Sequence, residues 1–194
     1  DKEGHKYLDA LAGIAVNSVG HAHPRLVRAI ADQASKLIHC SNYFNIDLQE
    51  QVAEKLVEHS GLEAVFFCNS GLEANECAIK IARKFGHAKG IEVPNIIVLK
   101  HAFHGRSIAT LSATGNPSVR ADFSPYTEGF IFVDESDLDG IRKIVEENKN
   151  VVAIFFEPIL GEGGVVPIDL SVIKGIREIC DEHDLLMMCD EVQC

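Results

Sequence analysis

Phe66-Phe67-Cys68-Asn69-Ser70-Gly71-Leu72-Glu73-Ala74-Asn75-Glu76-Cys77-Ala78-Ile79-Lys80 reads as strand, tight turn and helix. Ala64 to Cys68 is short and apolar, the pattern of a buried strand. Asn69-Ser70-Gly71 supplies the turn. Ser70 followed three residues later by Glu73 fits a capping box, so the helix is predicted to begin here. Ala74, Ala78, Ile81, Ala82 and Phe85 recur at helical spacing, and Gly86 is the predicted stop. The first N–H groups of such a helix have no internal partner, and the helix dipole favours negative charge beside them. The turn is therefore a candidate anion site, above all for phosphate. An ordinary capped helix after a strand satisfies the same residues. The turn lacks the Gly-Lys-Ser/Thr ending of a nucleoside-triphosphate loop and the Gly-x-Gly-x-x-Gly of a dinucleotide site.

Composition narrows the classes further. The chain has 194 residues, 46% of them hydrophobic, and a net charge of −11. A chain of this length buries about 70% of its unfolded surface. The negative balance argues against nucleic acid and anionic membranes as partners. No apolar run reaches membrane-spanning length, and Asp1-Lys2-Glu3-Gly4 shows no basic-then-apolar leader. Cysteines at 40, 68, 77, 180, 189 and 194 include no Cys-x-x-Cys. Reduced, mostly buried thiols in a cytoplasmic protein are expected. The close pairs His21-Ala22-His23 and His101-Ala102-Phe103-His104 follow no zinc pattern, so no metal is expected.

Outward from the opening stretch, Lys6 to Val19 alternates like a short hairpin. Helical patterns run from Pro24 to Ile38 and from Leu48 to His59, the second stopping near Gly61. Strands are predicted at Asn95–Leu99, Phe130–Val133, Val151–Phe156 and Leu185–Cys189, and helices at Asp137–Glu147 and Ile173–His183. Strands alternating with helices imply an α/β fold, a mostly parallel sheet with helices on both faces. Ligands of such sheets collect beyond the carboxyl ends of strands. Four clusters fall there: Asn69-Ser70-Gly71, His101 to Ser107, Glu157 to Gly164, and Asp190 to Gln193. Asp190 follows five apolar residues, and a carboxylate leaving a buried strand needs a partner. That partner could be magnesium, as in nucleotide hydrolases whose phosphate loop is missing here, or a protonated ring nitrogen of a phosphorylated cofactor. A capped or salt-bridged structural carboxylate is the third reading.

Asn69-Ser70-Gly71-Leu72-Glu73-Ala74, Phe103-His104-Gly105-Arg106, Glu157-Pro158 with Gly161-Glu162, and Asp190-Glu191-Val192-Gln193 together resemble the class III pyridoxal-phosphate aminotransferases. Tyr7-Leu8-Asp9 and Gly20-His21-Ala22-His23-Pro24 match that family's early segment. The resemblance spans essentially the whole chain, in order, and is nearest the acetylornithine aminotransferase group. It implies fold type I, with a seven-stranded large domain, a small domain built from both termini, and a homodimer with sites at the interface. Residues 1–44 then belong partly to the small domain and 45–194 to the large one.

The resemblance also implies roles. Pyridoxal 5'-phosphate is the cofactor. Ser70 and the amides of Gly71 and Leu72 hold its phosphate, and Phe103 and Val192 cover the two ring faces. Asp190 pairs with the ring nitrogen, and Gln193 lies near the phenolic oxygen, with Glu191 in the same cofactor-lining segment. Arg106 clamps the substrate α-carboxylate, and Glu162 pairs with a second arginine. The implied reaction moves an amino group from N-acetylornithine to 2-oxoglutarate, in arginine biosynthesis. The alternatives are another ω-amine transaminase, acting on ornithine or 4-aminobutyrate, or a non-catalytic cofactor-binding fragment. The family's Schiff-base lysine falls beyond Cys194, so the chain is expected to be a fragment without a catalytic residue and inactive alone. Leu160 stands where the family usually has Gln, and Leu72 where it has Ala or Thr.

Overall fold

Residues 1–194 are described by a computed structural model. They form two units, Asp1–Phe66 and Phe67–Cys194.

The first unit contains helices and no strand. Ala12–Ala15 make a single turn, α1, with left-handed φ at all four residues. The hairpin expected over Lys6 to Val19 does not form. Asp9 Oδ1 instead accepts the amides of Leu11 at 3.0 Å and Ala12 at 2.8 Å, so these donors turn inward and never meet a partner strand. Helix α2, Pro24–Ala34, starts with Pro at its first position, where a missing N–H costs nothing. It ends four residues before the predicted Ile38. Helix α3, Asp47–Ser60, stops at Gly61, whose φ of 70° needs a residue without a Cβ.

The second unit opens with α4, Gly71–Ala88, followed by β1, Asn95–Leu99. Short helices α5, Ile108–Ala113, and α6, Pro117–Arg120, lead to β2, Phe130–Val133. Then come α7, Leu138–Glu147, β3, Val151–Phe156, and a two-stranded antiparallel pair, β4, Ile159–Leu160, with β5, Val166–Pro167. Helix α8, Leu170–His183, and β6, Leu186–Cys189, close the chain. The sheet order is β2-β1-β3-β6, parallel throughout.

Alternation along the strands builds the two faces. Ile97, Leu99, Ile154 and Phe156 pack with Ile141 and Val145 of α7 and Val172, Ile176 and Ile179 of α8. Ile96, Val98, Ala153 and Phe155 pack with Ile79 and Ala82 of α4 and Ala113 of α5. Every residue of β3 is buried, and each such Ile, Val or Phe contributes about 1.5–3 kcal/mol on leaving water. A strand enclosed on both faces reads as the continuous apolar run seen here.

Two expectations around the opening stretch are corrected. Ala64 to Cys68 is not a strand, because no neighbouring strand pairs with its amides and carbonyls. Gly86 does not end α4, which continues to Ala88. Gly86 is needed for close packing: a Cβ there would lie 2.7 Å from Pro94 Cγ and 2.8 Å from Val152 Cγ1. A third concerns thiols. All six cysteines are free, but only Cys180 is buried, while Cys68, Cys189 and Cys194 are exposed. Burial pushes the Cys180 thiol up to about 11. No helix is long and apolar enough to cross a membrane.

Candidate functional site

Parallel strands place their carboxyl ends together, and three loops leave from that edge. Asp190 continues β6 by donating its amide to the Phe156 carbonyl at 2.8 Å. Phe103, after β1, donates its amide to Glu157 Oε1 at 2.8 Å, after β3. The start of α4 completes the group. A Cβ on Gly71 would sit 2.6 Å from both Val192 methyls, one on Gly105 would be 3.4 Å from Leu72 Cγ, and one on Gly161 would be 3.3 Å from Gln193 Cγ. The four sequence clusters therefore meet in one place.

At its centre is the Asp190 carboxylate, 6% exposed. Its Oδ2 accepts Asn75 Nδ2 at 2.7 Å and His104 Nδ1 at 2.8 Å. Its Oδ1 accepts the Val192 amide at 3.1 Å. Asp190 needs donors because an unpartnered buried carboxylate is costly. Asn75 lies one turn into α4 on its buried side and also donates to the His104 carbonyl at 2.8 Å. The reading of Asp190 as a capped or salt-bridged structural carboxylate is met by the same contacts, the Val192 amide at Oδ1 and His104 Nδ1 at Oδ2.

The turn before α4 is capped as expected, with one shift. Ser70 Oγ accepts the Glu73 amide at 3.3 Å. Glu73 reaches back to the Asn69 amide at 2.6 Å rather than to that of Ser70. The amides of Gly71 and Leu72 donate to no group of the chain, so two N–H groups stand open at the positive end of an 18-residue helix.

Phe103 is half-buried, and the Arg106 guanidinium carbon lies 6.0 Å from its ring centre. Arg106 itself is exposed and makes no ion pair. Glu162 and Glu191 are exposed too, Glu162 in the turn joining β4 to β5. Neither is drawn into the Asp190 network. Glu157 is 4% exposed. Burial pushes its carboxyl above the usual range, against the lowering effect of the Phe103 and Gly161 amides. Leu160 is 1% exposed and belongs to the core between the sheet, α7 and α8, so this departure serves packing.

Sequence reasoning missed Asn75 and His104 as functional residues. Asn75 is a polar residue at a helix position that the apolar repeat assigns to the core, and that conflict was the available signal. His104 is paired in sequence with His101 and stands in the Phe103-His104-Gly105-Arg106 motif, but neither setting gives it a role. The structure separates them: His101 faces Glu135 at 2.9 Å, and His104 faces Asp190. An open cleft of about 360 Å³, lined by Arg83, His87 and Glu128 among others, lies at the amino ends of β1 and β2, away from this cluster.

Comparison with known proteins gives one answer throughout. The aminotransferase class-III family pattern matches residues 1–194. An acetylornithine aminotransferase of Nitrosomonas europaea is 52% identical over 194 residues, covering 100% of this chain and 49% of that protein. One from Methanocaldococcus jannaschii is 46% identical over 195 residues, with 48% of its length covered. Among solved structures, ornithine aminotransferase from Toxoplasma gondii, described with partial occupancy of PLP at its active site, superposes with a TM-score of 0.92 at 34% identity. It covers 100% of this chain and 46% of that one. N-acetylornithine aminotransferase from Stenotrophomonas maltophilia gives 0.83 at 38% identity, covering 100% and 48%. The chain spans about half the length of the curated relatives it matches.

Proposed function

The chain belongs to the class III aminotransferases, and from that premise we propose that its protein transfers an amino group from N-acetylornithine to 2-oxoglutarate with pyridoxal 5'-phosphate as cofactor. The names of its relatives support the amino donor. The observation that carries the reading is Asp190, a buried carboxylate with hydrogen-bond donors on both oxygens, at the end of a parallel strand and beside an open helix N-terminus.

These residues fit that cofactor. Gly71 and Leu72 offer two free amides for its phosphate, with Ser70 beside them. Phe103 offers a half-buried aromatic face, and Val192, against Gly71, an apolar one. Asp190 has acceptor capacity left and stabilises a proton at the ring nitrogen, because a carboxylate shielded from water favours a neighbouring cation. When bound, pyridoxal phosphate supplies the electron sink for proton loss at the carbon bearing the amino group.

The chain's other groups orient the substrate. Arg106 presents a planar fork that binds an α-carboxylate through two parallel hydrogen bonds. Its position by Phe103 suits a carboxylate held next to the ring. Glu162, exposed in its turn, is available to pair with an arginine. Gln193 serves the phenolic oxygen, and Glu191 shares its segment. We read the protein as a homodimer and, from its six free cysteines, as cytoplasmic. Residues 1–44 are assigned to the small domain in part and 45–194 to the large one.

The test uses the complete protein. Glutamate formation from 2-oxoglutarate is measured with N-acetylornithine, ornithine and 4-aminobutyrate as donors. The reading expects the highest kcat/KM for N-acetylornithine. A higher value for either free amine would move the assignment to that transaminase, and no transfer with cofactor bound would leave a binding protein.

A further inference from the structure

Arg106 is exposed, yet the backbone on either side of it is fixed. Before it, Gly105 is buried at a φ of 130°, and a Cβ there would lie 2.6 Å from Thr110 Oγ1 and 3.4 Å from Leu72 Cγ. The Gly105 carbonyl accepts Thr114 Oγ1 at 3.3 Å. After it, Ser107 donates its amide to Thr110 Oγ1 at 3.1 Å and its hydroxyl to Glu76 Oε1. Leu72 and Glu76 are four residues apart, so they lie one above the other on one face of α4. The helix that offers the Gly71 and Leu72 amides thus also braces both neighbours of Arg106.

The hydroxyls have one consistent set of directions. An ionised carboxylate only accepts, so the single Ser107 hydroxyl proton goes to Glu76. Thr110 Oγ1, buried and 2.8 Å from Ser107 Oγ, then donates to it and accepts the Ser107 amide in return. A hydrogen bond to a charged acceptor is roughly twice as strong as one between neutral groups, and Glu76 is the one charged group that grips this loop. Neither Glu76 nor Arg106 belongs to an ion pair. Glu76 therefore holds the loop through Ser107 while the Arg106 guanidinium stays free for a ligand carboxylate.

We propose that Glu76 is a positioning residue for substrate recognition: through Ser107 it fixes Arg106 where its planar fork meets the α-carboxylate of both the amino donor and the 2-oxo acid. A bidentate fork needs both hydrogen bonds in line, and a small displacement of its backbone loses one of them. Because α4 carries both the anion-facing amides and Glu76, a single helix sets the spacing between phosphate turn and carboxylate clamp. The inference rests on the role proposed above for Arg106.

The test uses the complete protein with cofactor bound. The variants are Glu76→Ala, Glu76→Gln, Glu76→Asp, Ser107→Ala, the Glu76→Ala/Ser107→Ala pair and Arg106→Lys. Gln keeps the acceptor, whereas Asp keeps the charge and falls short of Ser107. Two readouts are taken: the Kd of glutarate, a dicarboxylate that cannot react, by calorimetry, and KM and kcat for both substrates. Glu76→Ala, Glu76→Asp and Ser107→Ala should each raise Kd and both KM values about fivefold with kcat within about twofold, the pattern of binding lost equally from ground and transition states. Glu76→Gln should recover most of the effect. The paired variant should be no worse than either single one, because both remove one bond; additive losses would overturn the proposal. If Arg106→Lys leaves Kd and KM unchanged, the role of Arg106 itself is wrong. If Arg106→Lys raises them and Glu76→Ala does not, only the positioning role is wrong. A purely packing role would lower the urea midpoint and leave Kd and KM unmoved. Should either alanine variant fail to fold, Glu76→Asp decides by the same readouts.

Discussion

The Asn75 side-chain amide lies 2.7 Å from Asp190 Oδ2, across 115 residues of sequence, and joins the first turns of α4 to the end of β6. Through this bond one helix both opens its N-terminus to an anion and anchors the carboxylate beside it. The same Nδ2 also holds the His104 carbonyl, so helix, loop and strand are tied at one atom.

Asn75→Leu removes that tie while keeping similar volume. The His104 carbonyl and Asp190 Oδ2 each lose a donor inside the protein. Leaving a buried acceptor unsatisfied costs about 1–3 kcal/mol. Urea unfolding of the complete protein should show a loss of this size, and an unchanged midpoint would mean the bond contributes nothing net.

Gly86→Ala sets two local rules against each other. Alanine favours a helix interior by about 1 kcal/mol over glycine. The new Cβ would lie 2.7 Å from Pro94 Cγ and 2.8 Å from Val152 Cγ1, too close to accept without movement. Overpacking of this kind costs about 1–3 kcal/mol. The variant should therefore be less stable in urea; a more stable one would show that Pro94 moves aside freely.

Arg106→Lys keeps the charge and loses the planar fork. KM should rise about tenfold for both the amino donor and 2-oxoglutarate, because each presents an α-carboxylate to the same clamp. Steady-state kinetics with either substrate varied checks this. A rise for one substrate only would exclude Arg106 as the common site.

Glu157 should make stability fall as pH rises. Burial holds its folded pKa above the unfolded value, so the folded state keeps a proton that the unfolded state releases. Its contribution is complete below the unfolded pKa, near about 4.3, and is lost as pH rises through the folded one. Glu157→Gln cannot titrate. The stability of wild type relative to Glu157→Gln should thus decline with pH across that window. A flat or rising difference would mean that the Phe103 and Gly161 amides outweigh burial.

Much of the fold was legible because its strands are short apolar runs, one of them, β3, buried on both faces. Asn95–Leu99, Phe130–Val133 and Val151–Phe156 read as uninterrupted apolar runs bounded by polar turns, and all three are strands. Ser70 marks a helix start because a cap is a local interaction. The hairpin over Lys6 to Val19 failed locally, at Asp9; the other misses depended on neighbours away from the stretch being read. Ala64 to Cys68 has the composition of a strand but no partner, and Gly86 looks like a stop until Pro94 and Val152 are seen against it. Asp190 stood out as a carboxylate at a strand exit. Its donors did not, since a lone Asn in a helix and a lone His in a loop carry no mark of the residue they will meet.

The central claim, that Asp190 holds the ring-nitrogen proton on which amino transfer depends, is tested most directly by kcat of Asp190→Asn in the complete protein with cofactor bound. Asparagine keeps the size and a hydrogen bond but cannot stabilise a positive ring. Cofactor should remain, held through Gly71 and Leu72, while kcat for N-acetylornithine with 2-oxoglutarate falls on the order of 10³-fold, about 4 kcal/mol of transition-state stabilisation. A near-normal kcat with cofactor bound would contradict the account and make Asp190 a structural carboxylate.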